Sequence, residues 1–146
     1  MGGDRPRDRP SLGPMRPPKG VLLDTNVLLW VLVDSDRVGK RLRSILMSDA
    51  PVFFSAVSIV EITIKSALGK FPAQDNMAST IATLGFRELP LDAQSAEQVS
   101  RFPALDGHDP FDRMLVAQAT THSIPLETAD RRLLALDIPE VRDATR

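Results

Sequence analysis

The chain contains no cysteine and only two histidines among its 146 residues. Without thiols, neither a disulfide framework nor a zinc–thiolate centre is possible, and a reducing cytosol is compatible. Two histidines argue against an imidazole-rich metal site. No apolar run approaches the roughly 20 residues of a membrane span, and the Pro-rich start lacks the apolar middle of a secretion signal. A cytoplasmic protein is therefore expected.

What is present suffices for one ordinary α/β domain, because 146 residues with a 42% apolar content can bury a real core. The formal net charge of −1 hides an asymmetry. Residues 1–19 carry Arg5, Arg7, Arg9, Arg16 and Lys19 against Asp4 and Asp8, and hold five of the twelve prolines. The remainder has 13 basic and 17 acidic side chains. So apolar-poor an opening cannot offset the entropy of its own ordering, and residues 1–19 are expected to form a disordered arm preceding a domain over residues 20–146. Its arginines would attract phosphate without reading sequence, although a solvated tail is the simpler expectation.

From Lys19 onward, short apolar runs alternate with longer amphipathic ones, the pattern of βα units with parallel pairing. Strands are expected at Val21–Leu23, Val52–Phe54, Phe86–Leu89 and Ile124–Glu127. Helices are expected at Thr25–Leu32, Lys40–Met47, Ser58–Leu68 and Met77–Leu84, then from Asp92 to Phe102, over Phe111–Thr121 and at Arg131–Leu136.

Four acids, Asp24, Glu61, Asp112 and Asp130, stand where an apolar run ends or a helix begins. In an open α/β sheet these junctions gather along one edge, where ligands bind. Each acid also has an ordinary structural role open to it. Asp24, Asp109 and Asp130 suit N-caps, with Pro110 at a first helical position. Ser58-Ile59-Val60-Glu61 fits a capping box. Asp112 would gain from a helix dipole wherever it pointed. Taken together, carboxylates crowded at one edge repel unless cations occupy it, and an all-oxygen donor set suits Mg²⁺, with Mn²⁺ as substitute. Thr25, Asn26, Asp109, Thr128 and Arg113 are secondary candidates. Arg113 is expected to pair with a nearby acid, with phosphate contact as the alternative.

Four segments carry a family resemblance: Leu22-Leu23-Asp24-Thr25-Asn26-Val27-Leu28-Leu29-Trp30, Ser55 to Lys65, His108 to Ala119, and Thr128-Ala129-Asp130. In order and spacing they resemble the motifs of PIN-domain ribonucleases of the VapC toxin type, and Gly69-Lys70-Phe71 matches a segment common in that group. The resemblance runs from about Val21 to Val141. It implies a three-layer α/β/α fold with a central, mainly parallel sheet, and magnesium-dependent endoribonuclease activity. It also implies a homodimeric toxin and a cognate antitoxin that covers the acidic site. Asp24, Glu61, Asp112 and Asp130 match the family's acidic quartet, with Asp109 as an additional acid. Glu127 departs from the usual apolar residue before Thr128 and would add charge near the site.

The chemistry expected of such a site is metal-assisted phosphodiester hydrolysis, with Asp24, Asp112 and Asp130 holding metal or its waters and Glu61 either joining them or accepting a proton. Lys65, Arg113, Arg131 and Arg132 are candidates for a basic rim that meets RNA. The alternative is a catalytically silent PIN-like binding module, though a degraded relative should lack a carboxylate, and this chain has all four. An aspartyl-phosphate phosphatase would want a second acid where Asn26 stands, and a receiver domain would want a paired acid early and a lysine late.

Overall fold

The computed structural model describes residues 20–71 and 75–146, so the expected arm lies outside the described residues. Within them the alternation of apolar and amphipathic runs becomes β1 (Val21–Leu23), α1 (Thr25–Leu32), α2 (Lys40–Leu46), β2 (Val52–Ser55), α3 (Ala56–Ala67), α4 (Met77–Thr83) and β3 (Arg87–Leu89). There follow α5 (Ala93–Gln98), two short 3₁₀ turns, α6 (Pro110–His122), β4 (Leu126–Thr128), α7 (Arg131–Leu134) and β5 (Val141–Asp143). No helix among the described residues is long and apolar enough to cross a membrane.

All five strands are parallel, in the order β3-β2-β1-β4-β5. Parallel neighbours cannot be joined by tight turns, so helices cover both faces; the strands are short, and the central β1 is wholly apolar. The period-2 alternation of β1 divides the core. Val21 and Leu23 pack with Val27, Leu28, Leu42, Phe54 and Ile81 on the side of α1, α2 and α4. Leu22 packs with Leu89, Leu115, Val116, Ala119 and Leu126 on the side of α6. The result is a three-layer α/β/α fold. Leu22, Leu23, Leu28, Leu115 and Leu126 have at most 1% exposure, so truncating any one to Ala should cost about 2–5 kcal/mol.

Local signals decide most boundaries. Asp24, Asp92, Asp109 and Asp130 each accept a hydrogen bond from a first-turn amide of the helix they precede. Two expectations need correction. Helix α3 begins at Ala56 rather than Ser58, because β2 runs through Ser55, whose hydroxyl caps the helix by accepting from the Val57 amide. Ser58 is therefore inside the helix and the Ser58–Glu61 capping box does not form. Strand β5, whose Val141-Arg142-Asp143 has no apolar run, was not expected from the sequence; it extends the sheet by pairing with β4.

The chain crosses from β1 to β2 on one side of β1 and returns to β4 on its other side. Such a reversal of winding marks the carboxyl ends of β1 and β4 as the place where parallel sheets bind ligands.

Candidate active site

Asp24 is the residue after β1, and its neighbours fix both of its oxygens. Oδ1 accepts from the Val27 amide at 2.9 Å, and Oδ2 accepts from the Thr128 hydroxyl at the end of β4. Thr128 also accepts from the Asp130 amide at 3.1 Å, joining the β4 edge to the start of α7. Capping and site placement are thus one arrangement for Asp24. The cap orients a carboxylate that is 6% exposed. Burial pushes its carboxyl up to about 6, against the Thr128 and Val27 hydrogen bonds, with Glu61 and Asp130 adding to the rise.

Thr25, the next residue, reaches the other way. Its hydroxyl lies 2.6 Å from Glu61 Oε1 and 2.9 Å from Ser58 Oγ. A hydroxyl has one proton, so Thr25 donates to the carboxylate and accepts from Ser58. Ser58 is fully buried in α3, and its contribution was hidden in the sequence by the capping-box reading. The second Glu61 oxygen, Oε2, is 2.5 Å from Lys65 Nζ, one turn further along α3. Glu61 is therefore a paired carboxylate rather than the unpaired one expected, and Lys65 faces it instead of standing apart on a rim. The i,i+4 spacing was the signal for this pair.

Asp112 enters from the first turn of α6, a helix that follows a 3₁₀ turn and not a strand. It is half-buried, and among the described residues no hydrogen bond or ion pair engages it. Burial raises its carboxyl to about 7, followed by the charges of Asp109, Asp130, Asp24 and Glu61. All four acids of the quartet thus lie in one electrostatic neighbourhood, with Asp109 at its margin. Asp109 is exposed and caps α6 through the Phe111 amide at 2.8 Å. Asp130 is half-buried and caps α7, accepting from the Arg132 amide at 2.8 Å.

The other candidates divide. Asn26 is exposed on α1. Arg113 pairs with Asp106 at 3.7 Å, the ion-pair role expected of it. Arg131 pairs with Asp143 at 2.9 Å. Glu127 departs from its expectation: it is fully buried, and Arg41 of α2 takes up its charge through two hydrogen bonds of 2.6 and 3.0 Å.

The donor set fits a hard divalent ion in kind, since it is all oxygen and two of its carboxyls are raised partly by their neighbours' charge. Among the described residues no three Asp, Glu or His side chains already converge as a finished coordination shell.

Comparison with known proteins places the geometry in context. The family described as PIN domain matches residues 21–139. No curated protein matches the chain. Among solved structures, DNA-bound VapBC from Salmonella typhimurium is similar at 21% identity and a TM-score of 0.60, covering 85% of this chain and 97% of that one. FitAcB from Neisseria gonorrhoeae is similar at 24% identity and a TM-score of 0.59, with coverage of 85% and 97%. A toxin–antitoxin complex from Klebsiella pneumoniae is similar at 18% identity, a TM-score of 0.59 and the same two coverages.

Proposed function

The chain belongs to the PIN-domain family, and from that premise we propose that it is a magnesium-dependent endoribonuclease of the VapC toxin type. The observation that carries this reading is the gathering of Asp24, Glu61, Asp112 and Asp130 into one electrostatic neighbourhood beyond the carboxyl ends of β1 and β4, where burial and the surrounding acids raise the Asp24 and Asp112 carboxyls. Negative charge gathered and partly desolvated in this way lowers stability unless a cation offsets it.

Asp24, Asp112 and Asp130, with Glu61, would hold Mg²⁺, or Mn²⁺ in its place. When bound, such an ion supplies an acidified water and offsets charge on the phosphodiester. The chain's own part is orientation. Val27 and Thr128 fix the two oxygens of Asp24. Thr25 turns Oε1 of Glu61 toward the β1 end. Asp130 stands at the start of α7, where the amides of Arg132 and Leu133 steady its Oδ1.

An RNA substrate suits an edge that needs cations to accept a polyanion. The likeness to VapBC, FitAcB and a toxin–antitoxin complex supports a protein partner, which we take to be a cognate antitoxin. A homodimeric toxin acting in the cytoplasm completes the proposed reading.

The test is cleavage of total cellular RNA by the antitoxin-free protein with Mg²⁺, with EDTA, and with Asp24→Asn in parallel. Discrete products that require Mg²⁺ are expected, with a loss of about 100-fold or more in Asp24→Asn. Cleavage that survives EDTA or the substitution would overturn the mechanism. A folded, Mg²⁺-binding protein that cuts no RNA would favour the silent binding module.

A further inference from the structure

Glu61 is the member of the quartet that already has a cation. Its side chain is 9% exposed, and Lys65 Nζ lies 2.5 Å from its Oε2. An i,i+4 Glu–Lys pair on an open helix face contributes only a few tenths of a kcal/mol, because water screens it. This pair differs in its surroundings. The Lys65 side chain is 27% exposed, and its ammonium interacts with Asp109 and Asp112 as well as Glu61. The Phe71 ring lies 5.5 Å from Nζ and adds an electron-rich face to the same pocket of charge. Arg113 and Arg131 are engaged by Asp106 and Asp143. Among the described residues Lys65 is the only basic side chain in an ion pair with any acid of the quartet.

We propose that Lys65 is a built-in counter-cation of the acidic edge, which holds Glu61 in the absence of a divalent ion and weakens the binding of that ion by its own charge. The inference rests on the metal-dependent reading above. A carboxylate oxygen can meet an ammonium and a metal ion at once, but the two positive charges repel across Glu61, so the pair raises the amount of Mg²⁺ the site needs. It also keeps Glu61 oriented beside Thr25 in the absence of metal. Lys65 is in this sense a positioning residue that acts through Glu61.

The experiment is a calorimetric titration of the full chain with Mg²⁺ alone, comparing the unmodified protein with Lys65→Met, Lys65→Arg and Lys70→Met. Thermal melting of each variant verifies that it is folded. Lys65→Met keeps the apolar stem and removes the charge. It should bind Mg²⁺ at least about tenfold more tightly, because even the fully water-screened repulsion between an ammonium and a divalent ion a few ångströms apart is of that size. Lys65→Arg should return the affinity to that of the unmodified protein. Lys70→Met removes the same charge from an exposed position beyond α3 and should change the affinity less than twofold, within the weak screened range of surface charges. Unchanged or weaker Mg²⁺ binding by folded Lys65→Met, with the unmodified protein still binding, would overturn the counter-cation role and leave the metal reading intact. Absence of Mg²⁺ binding in every variant would overturn the metal reading itself, and the proposal with it.

Discussion

Two groups of carboxylates flank the same pair of strands and are treated in opposite ways. Beyond the ends of β1 and β4, Asp24 and Asp112 are left without an ion-pair partner among the described residues, and their carboxyls rise to about 6 and about 7. On the β4–β5 flank, Glu127 is fully buried but gripped by Arg41, which also donates to the Asp143 carbonyl at 2.9 Å. Burial would raise the Asp143 carboxyl, yet hydrogen bonds from Thr145, Arg131 and Arg146 outweigh it and hold the group well below the usual carboxylate range. Proximity to the sheet edge does not separate the two groups. The arginines do. One flank is built to be stable as it stands, and the other is left with charge that something else must balance.

The largest way to break this contrast is to strip the compensated flank. Arg41→Ala leaves Glu127 buried and uncompensated, and the domain should lose about 3 kcal/mol, the lower end of the cost of breaking a buried pair because the guanidinium reaches solvent. Urea unfolding reads that loss. The double variant Arg41→Met with Glu127→Leu should recover most of it, since an apolar pair of similar volume carries no desolvation cost.

A smaller break comes from Gly39, which precedes α2. A Cβ there would lie 2.0 Å from the Arg146 carbonyl oxygen and 2.3 Å from the Arg146 nitrogen. The close approach is fastened by hydrogen bonds from the Gly39 amide to Ala144 and from the Arg41 amide to Arg146. Gly39→Ala should cost about 2 kcal/mol, as overpacking against backbone does. Hydrogen exchange should locate the loosening at residues 141–146 and leave the β1 edge protected.

The smallest effect is one of sign. In EDTA, the raised carboxyls of Asp24 and Asp112 bind more protons folded than unfolded between about pH 4 and 7, so their contribution to stability falls as pH rises through that window. Asp143 acts the other way. Its stabilisation is present above the ordinary carboxylate pKa and disappears only as pH falls below it. Thermal melting of Asp112→Asn in EDTA should therefore lose much of the decline between pH 4 and 7 while keeping the acid limb. A variant that melts with the unmodified profile would show that the edge is not under charge strain.

The same contrast marks what the sequence could and could not disclose. The positions of Asp24, Asp109 and Asp130 were readable because caps are local and adjoin apolar runs of the right period. Glu61 and Asp112 were singled out by the same kind of placement, and the family motifs matched them to the acidic quartet. Burial of Glu127 was not readable, since its partner Arg41 is 86 residues away in sequence. An unpaired reading of its charge was the natural result. Strand β5 escaped notice for a related reason: it is three residues long, half-exposed and charged, and only the ladder with β4 makes it a strand. The start of α3 was misplaced because Ser55 ends a strand and caps a helix at once, leaving no loop to mark the join.

Thr25 and Asp24 are consecutive, yet one is bonded to Glu61 and the other to Thr128, partners 36 and 104 residues away. The tie to Glu61 closes a shorter loop within the β1–β2 half, whereas the tie to Thr128 needs β4 laid beside β1, and long-range parallel pairing is slow to close. A folding chain therefore completes the Glu61 side of the acidic edge before the Thr128 side, and the two oxygens of Asp24 are fixed together only once the sheet itself is closed.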